Sequence, residues 1–200
     1  MKKTKTNRWR NCRGFTVLEV LIAALITGIL AVASFRFYTS MHQQTETQIE
    51  VSDVQHLCRS SVHEIKKTLR LAGFKLDPAV HAPYEVKGDS LAIYYSGTQP
   101  VDTVLYYLEE FAEWEYWRVP DLRGEVTLYR LMRKQNSLPG EACADFIRDV
   151  DFQLVDSLDS RTMSITVTAQ VTKRDDSYAE NKGYRVWSLD EQVTLRNVNL

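Results

Sequence analysis

Hydrophobic and polar positions divide this chain into three stretches. Phe15 to Ala33 (FTVLEVLIAALITGILAVA) is a 19-residue apolar run whose only charge is Glu19. As a helix it would reach roughly 28 Å, close to the roughly 30 Å hydrocarbon core of a bilayer. Beyond it, Met41, Thr45, Ile49, Val51, Val54, Cys58, Val62, Ile65, Leu69 and Ala72 recur mainly at steps of three and four, the signature of one apolar helix face. Between Ile29 and Ala72 there is neither Gly nor Pro. One helix is therefore predicted from Phe15 to Ala72, 58 residues and about 87 Å, with Gly73 as its C-terminal cap and Asp77-Pro78 as a further stop. After Gly73 the period changes to two. Strands are expected at Ser90–Tyr95, Thr103–Leu108, Glu113–Val119, Glu125–Met132, Phe146–Val155, Met163–Thr172 and Tyr184–Leu195. Turn signals stand at Lys87-Gly88-Asp89, Gln99-Pro100, Leu122-Arg123-Gly124 and Leu138-Pro139-Gly140. The fold class that follows is α+β, a long helix with its apolar stripe against an antiparallel sheet.

Charge is distributed unevenly. The chain carries 25 basic and 26 acidic residues, so no global positive field exists to hold nucleic acid. Lys2, Lys3, Lys5, Arg8, Arg10 and Arg13 nevertheless stand together before the apolar run, with no acid among them. Basic flanks stay in the cytoplasm, which directs everything after Ala33 to the outer side of the membrane. With one membrane-length run, a polytopic channel or transporter is excluded. A cleaved secretory signal is the competing reading, but its apolar core spans roughly 7 to 15 residues and ends in a short cleavage region, not in a continuing helical pattern. Glu19 is the anomaly. A carboxylate within lipid costs roughly 2.5 kcal/mol or more unless paired or near the interface.

Arg13-Gly14-Phe15-Thr16-Val17-Leu18-Glu19, heading the apolar run and followed by Gly28-Ile29-Leu30-Ala31, resembles the processing site of type IV prepilins and of type II secretion pseudopilins. The resemblance implies cleavage between Gly14 and Phe15 by a membrane-embedded prepilin peptidase, N-methylation of Phe15, and retention of the apolar helix on the mature protein. It also implies assembly with other minor and major pilins through the inner-membrane assembly machinery. Physical chemistry supplies a reason for the spacing. Glu19 lies four residues, about 6 Å, along the axis from the new amine on Phe15, so a neighbour displaced by about that distance would pair its amine with this carboxylate.

A proline found in many major pilins eight residues after the glycine matched by Gly28 is here Arg36, a departure that favours a minor pilin. Leu57-Cys58-Arg59, Ile65 and Leu69-Arg70-Leu71-Ala72-Gly73-Phe74 resemble the end of the long helix in PilW-type minor pilins, and Val193-Thr194-Leu195-Arg196-Asn197 is similar to the closing strand of many minor pilins and pseudopilins. The implied organisation is a leader at 1–14, a transmembrane and assembly helix at 15–36, its amphipathic continuation at 37–73 and a periplasmic head at 74–200. The expected location is the inner membrane, single-pass and in contact with lipid, and then the pilus tip or base.

Cys12 belongs to the leader, leaving Cys58 and Cys143 on the mature chain. An even pair outside the cytoplasm permits a disulfide, and a Cys58–Cys143 bridge would close a loop of about 85 residues, worth ~4 kcal/mol in the chain-entropy model; buried free thiols are the alternative. No G-x-S-x-G, H-E-x-x-H, P-loop or C-x-x-C motif occurs, so neither catalysis nor a cofactor is expected. His42, His56 and His63 fall on the helix with too few further ligands for a metal. Glu109 to Trp117 mixes acids with large aromatics, either a hairpin packing rings on the core or a partner surface. Lys173-Arg174-Asp175-Asp176 reads as a hairpin loop. Two readings stand beside the minor pilin: a minor type II secretion pseudopilin, and a membrane-anchored periplasmic binding or enzymatic domain whose leader only imitates a prepilin.

Overall fold

A computed structural model describes residues 15–77, 81–111, 118–121, 124–155, 161–175 and 178–197. Helix α1 spans Val17–Leu69, 53 residues, and by length and composition is able to cross a membrane. Among the described residues nine strands follow: β1 Tyr84–Lys87, β2 Ser90–Tyr95, β3 Asp102–Glu110, β4 Arg118–Asp121, β5 Gly124–Thr127, β6 Tyr129–Gln135, β7 Glu141–Leu154, β8 Thr162–Gln170 and β9 Val186–Thr194. Seven of them form one antiparallel sheet in the order β1-β2-β3-β6-β7-β8-β9, a meander interrupted only by the separate β4-β5 hairpin. This is the expected α+β, type IV pilin-like arrangement.

Two compact units divide the chain, one ending at Glu46 and one starting at Thr47. In the second, the end of α1 belongs to the head, because its buried face of Val54, Cys58, Ser61, Val62, Ile65, Thr68 and Leu69 shares one core with the sheet. Strand β8 supplies Met163, Ile165, Val167 and Ala169 to that core by strict alternation. Met163, Ile165 and Val167 each contribute ~1.5–3 kcal/mol on burial. The predicted stripe continues outward through Ile49 and Met41, but both are exposed, so burial begins only at Val54 and holds from there to Ala72. Tyr106 brings a hydroxyl into this core. It meets the Thr68 hydroxyl at 2.8 Å and the Glu64 carbonyl, and burial pushes the phenol up to about 12.

The helix stops at Leu69, and residues 70–75 turn. Gly73 adopts φ +74° at this turn, and a Cβ there would come within 2.6 Å of the Asn197 carbonyl oxygen. Its N–H donates to the Tyr94 carbonyl, while the Asn197 side-chain amide donates to the Arg70 carbonyl, tying the helix end to both β2 and the segment after β9. The helix thus ends three residues before the expected Ala72, and Gly73, whose N–H bonds to β2, forms a junction in place of the expected cap.

Several strands differ from expectation. Tyr84–Lys87, too short to show alternation, pairs with β2 across the predicted turn at Gly88-Asp89, where Gly88 has φ +53°. The single strand expected over Glu125–Met132 is two, β5 and β6, belonging to different sheets and separated by the fully buried Leu128. Strand β7 begins at Glu141, five residues before the expected Phe146. Two register shifts against β6 explain why: bulges near Cys143 and at Phe146, where φ is +60°, break the period of two that would have revealed the strand. Of the expected strand Glu113–Val119, residues 113–117 lie outside the described residues, as does the proposed display of Trp114 and Tyr116.

Candidate functional site

The apolar segment of α1 places hydrophobic side chains at every angle around the axis. Val17, Leu18, Leu21, Ile22, Leu25, Ile26, Ile29 and Leu30 are all exposed, and the most apolar window has a mean hydropathy of 2.4 with none of it buried within the protein. A helix that is hydrophobic all round belongs in a core or in lipid. Its polar groups are satisfied internally: the Thr27 hydroxyl donates to the Ala23 carbonyl at 2.7 Å.

At the start of this segment, Phe15 and Thr16 precede the helix, and the Val20 N–H closes the first helical turn on the Thr16 carbonyl at 3.2 Å. Thr16 is the N-cap. Its hydroxyl accepts the Glu19 N–H at 3.2 Å, while Glu19 Oε2 accepts the Thr16 N–H at 3.1 Å and the Thr16 hydroxyl at 3.3 Å. This reciprocal T-x-x-E arrangement is a capping box, which satisfies orphan donors of the first turn and places a carboxylate at the positive end of the helix dipole. Glu19 therefore has a partner within its own chain, in addition to any supplied by assembly. Thr16 thus has a role beside Glu19, and the spacing Thr16-x-x-Glu19 ahead of an apolar run is its signal in the sequence. Gly14 lies outside the described residues, and Phe15 stands 84% exposed at the head of the helix.

The remaining candidates fall elsewhere. Cys58 and Cys143 are free thiols, so the structure lacks the expected Cys58–Cys143 bridge. Cys58 is buried and hydrogen-bonded to the Ala169 backbone; burial outweighs that bond and pushes the thiol up to about 11. Ala169 is opposite Ile147 on β7, whereas Cys143 lies four residues earlier on the bulged part of that strand, in the field of Arg133 and Glu64. His56 and His63 are exposed, and His42 lies 3.4 Å from Glu46. Among the described residues no three His, Cys, Asp or Glu side chains are grouped to hold a metal. Near Lys173-Arg174, Asp175 receives the Arg185 guanidinium at 2.7 Å, and Arg185 also stacks over Tyr178. Phe111, from the acidic-aromatic run, is buried against Phe146 and under Arg130.

Glu50 is a further anchoring residue, with no motif around it in the sequence. Its Oε1 accepts the Thr172 N–H and hydroxyl, both at 2.7 Å, and the Lys173 N–H at 3.0 Å, pinning α1 to the chain that leaves β8. A carboxylate reaching 122 residues along the chain leaves no local signature.

Residues 9–35 match the family model of the prokaryotic N-terminal methylation motif. The chain carries a prepilin-type N-terminus. No curated protein and no solved structure matches the chain. The match encloses the capping box and the whole apolar run, and it supports a type IV pilin or pseudopilin processed by prepilin peptidase, in a pilin-family assembly context. The apolar helix of this prepilin-type chain fits a single-pass inner-membrane anchor.

Proposed function

We propose that this protein is a minor type IV pilin of the PilW-like kind, made as a membrane precursor and incorporated during initiation or assembly of the pilus. Prepilin peptidase cuts it between Gly14 and Phe15 and methylates the new amine on Phe15. The leader stays in the cytoplasm and the head stands in the periplasm. The carrying observation is the methylation motif over residues 9–35 running directly into a helix that is apolar on every side. Glu19 then serves assembly: one oxygen, Oε2, is occupied by Thr16, and the carboxylate is held at the helix start where a neighbouring subunit's amine would meet it. Its role is structural, and neither a cofactor nor a metal is required.

N-terminal sequencing of the purified mature protein tests the reading. Phenylalanine, methylated, is expected at the first cycle; a chain starting at Met1 or cut beyond Ala33 overturns it in favour of a membrane-anchored binding or enzymatic domain. Glu19→Ala is expected to be processed normally yet reach the filament poorly, and normal piliation with Glu19→Ala contradicts the pairing role. The second reading, a minor type II secretion pseudopilin, shares the same motif. Deletion separates them, because loss of surface pili with normal exoprotein secretion supports the pilin and the reverse supports the pseudopilin.

A further inference from the structure

The sheet ends in an open edge at β9, and that edge has the features of a docking strand. Strand β9 pairs with β8 over nine residues without a register shift, from Thr162↔Thr194 to Gln170↔Val186. Just beyond its two ends, the Val171 N–H donates to the Arg185 carbonyl at 3.0 Å and the Leu195 N–H to the Arg161 carbonyl at 2.6 Å. In an antiparallel ladder alternate residues carry the inter-strand bonds, so the odd-numbered residues between Arg185 and Leu195 bond to β8. The backbone groups of Val186, Ser188, Asp190, Gln192 and Thr194 point away from the sheet. Among the described residues no strand pairs with this side. The opposite edge, β1, is four residues long and carries Glu85 and Lys87, a short and charged form that discourages pairing. Strand β9 has neither a bulge nor a proline to blunt it.

Beside the same edge lies a largely apolar groove of about 200 Å³, with Val51, Val54, Val171, Val186 and Trp187 in its walls and Gln55 and Arg185 as its polar members. Trp187 is paired with the core residue Ala169, and it remains 36% exposed at the sheet's rim. A strand added to β9 would bring its own alternate side chains over this groove, where an apolar residue fits. On the opposite face Asp190 accepts the Ser164 and Thr166 hydroxyls and has no basic partner among the described residues. Two copies paired through β9 about a two-fold axis centred on the strand would set Asp190 against Asp190, since it is the midpoint of Val186–Thr194. Like charges directly opposite disfavour that pairing.

We propose that β9 is a strand-addition site for another pilin-class subunit, whose extended segment pairs with the free edge, places an apolar side chain in the groove beside Trp187, and sets a lysine or arginine opposite Asp190. The inference rests on the pilin reading, because it takes its partner from the same assembly. Main-chain bonds would supply the affinity, and the groove and Asp190 the selectivity.

Amide hydrogen exchange on the mature full chain, in detergent and in sheared filaments, tests it together with Gln192→Pro. The outward amides of Ser188, Asp190, Gln192 and Thr194 are expected to exchange fast in the detergent-solubilised subunit and to be protected in the filament, while Leu189, Glu191 and Val193 are protected in both. Gln192→Pro removes only an outward N–H, a position proline tolerates on an edge. It is expected to leave thermal unfolding and N-terminal processing unchanged and to lower incorporation about tenfold, the equivalent of one or two lost hydrogen bonds. If the variant unfolds, the exchange comparison on the unaltered chain decides alone. Fast outward amides in the filament, or normal incorporation of a folded Gln192→Pro variant, overturns the proposal and leaves the pilin reading intact. Protection already present in a detergent dimer overturns the assignment of another subunit in favour of self-pairing. A chain that is cleaved at no prepilin site and never enters filaments removes both readings.

Discussion

The two halves of α1 solve the same problem in different solvents. From Val17 through Ala33 hydrophobic side chains project in every direction and none of the most apolar window is buried within the protein. From Val54 to Leu69 the face of Val54, Cys58, Val62, Ile65 and Leu69 is buried to 4% exposure or less against the sheet, while Asp53, His56, Arg59 and His63 stay outside. The helical backbone satisfies itself in both halves, so the side-chain pattern alone decides whether lipid or protein covers it. What differs is specificity. Lipid accepts any apolar side chain of the first half, whereas the second half must fit particular neighbours such as Tyr106 and Ile165.

Substitution of one isoleucine in each half is the strongest way to break that contrast. Ile65→Ala, in the wholly buried face, is expected to cost the head about 2–5 kcal/mol, whereas Ile26→Ala is expected to leave head unfolding unchanged. Denaturant unfolding of the detergent-solubilised protein, followed by aromatic fluorescence, checks both; equal losses would erase the distinction. A smaller effect is expected where the head holds a buried charge, which the apolar half cannot do cheaply. Asp102 is 1% exposed, and its carboxylate receives the Asn136 side-chain amide at 2.7 Å together with the N–H groups of Gly97, Thr98 and Gln99. The Asn136 bond, foremost, holds the carboxyl below its ordinary 3.8. A depressed folded value means the contribution is complete above 3.8 and is lost as pH falls from there toward the folded value. Melting temperature should therefore drop across that window in the natural protein, and Asp102→Asn should flatten the drop; an unchanged acid profile would exclude Asp102 as its source.

The mildest test uses the thiols as reporters of packing. At pH 8 Cys58, pushed up to about 11 by burial, is expected to resist iodoacetamide while folded and to react on unfolding, and both cysteines should alkylate without reductant. Mass spectrometry reads the labels, and a non-reduced protein that takes up none after unfolding would restore the Cys58–Cys143 bridge.

Legibility of the fold followed the range of the interaction. The helix, strand β2 and the turn at Gly88-Asp89 were readable because period, glycine and turn chemistry act over a few residues. The Thr16–Glu19 capping box was equally local, and its T-x-x-E spacing stands in the sequence although only Glu19 was singled out. Strand β7 was half hidden because its bulges at Cys143 and Phe146 destroy alternation where they occur, and their reason lies in the partner strand β6.

By itself, then, the order of residues determined where the chain can enter lipid, where the helix must end and which residues alternate, since each depends on side-chain chemistry at fixed short spacing. Tertiary structure alone decided which part of the apolar stripe is buried, that Glu50 reaches Thr172, that the two thiols face different partners, and that β9 rather than β1 offers the longer open edge. Those outcomes depend on pairings between residues far apart in the chain, whose geometry exists only once the sheet has set its strand order and register.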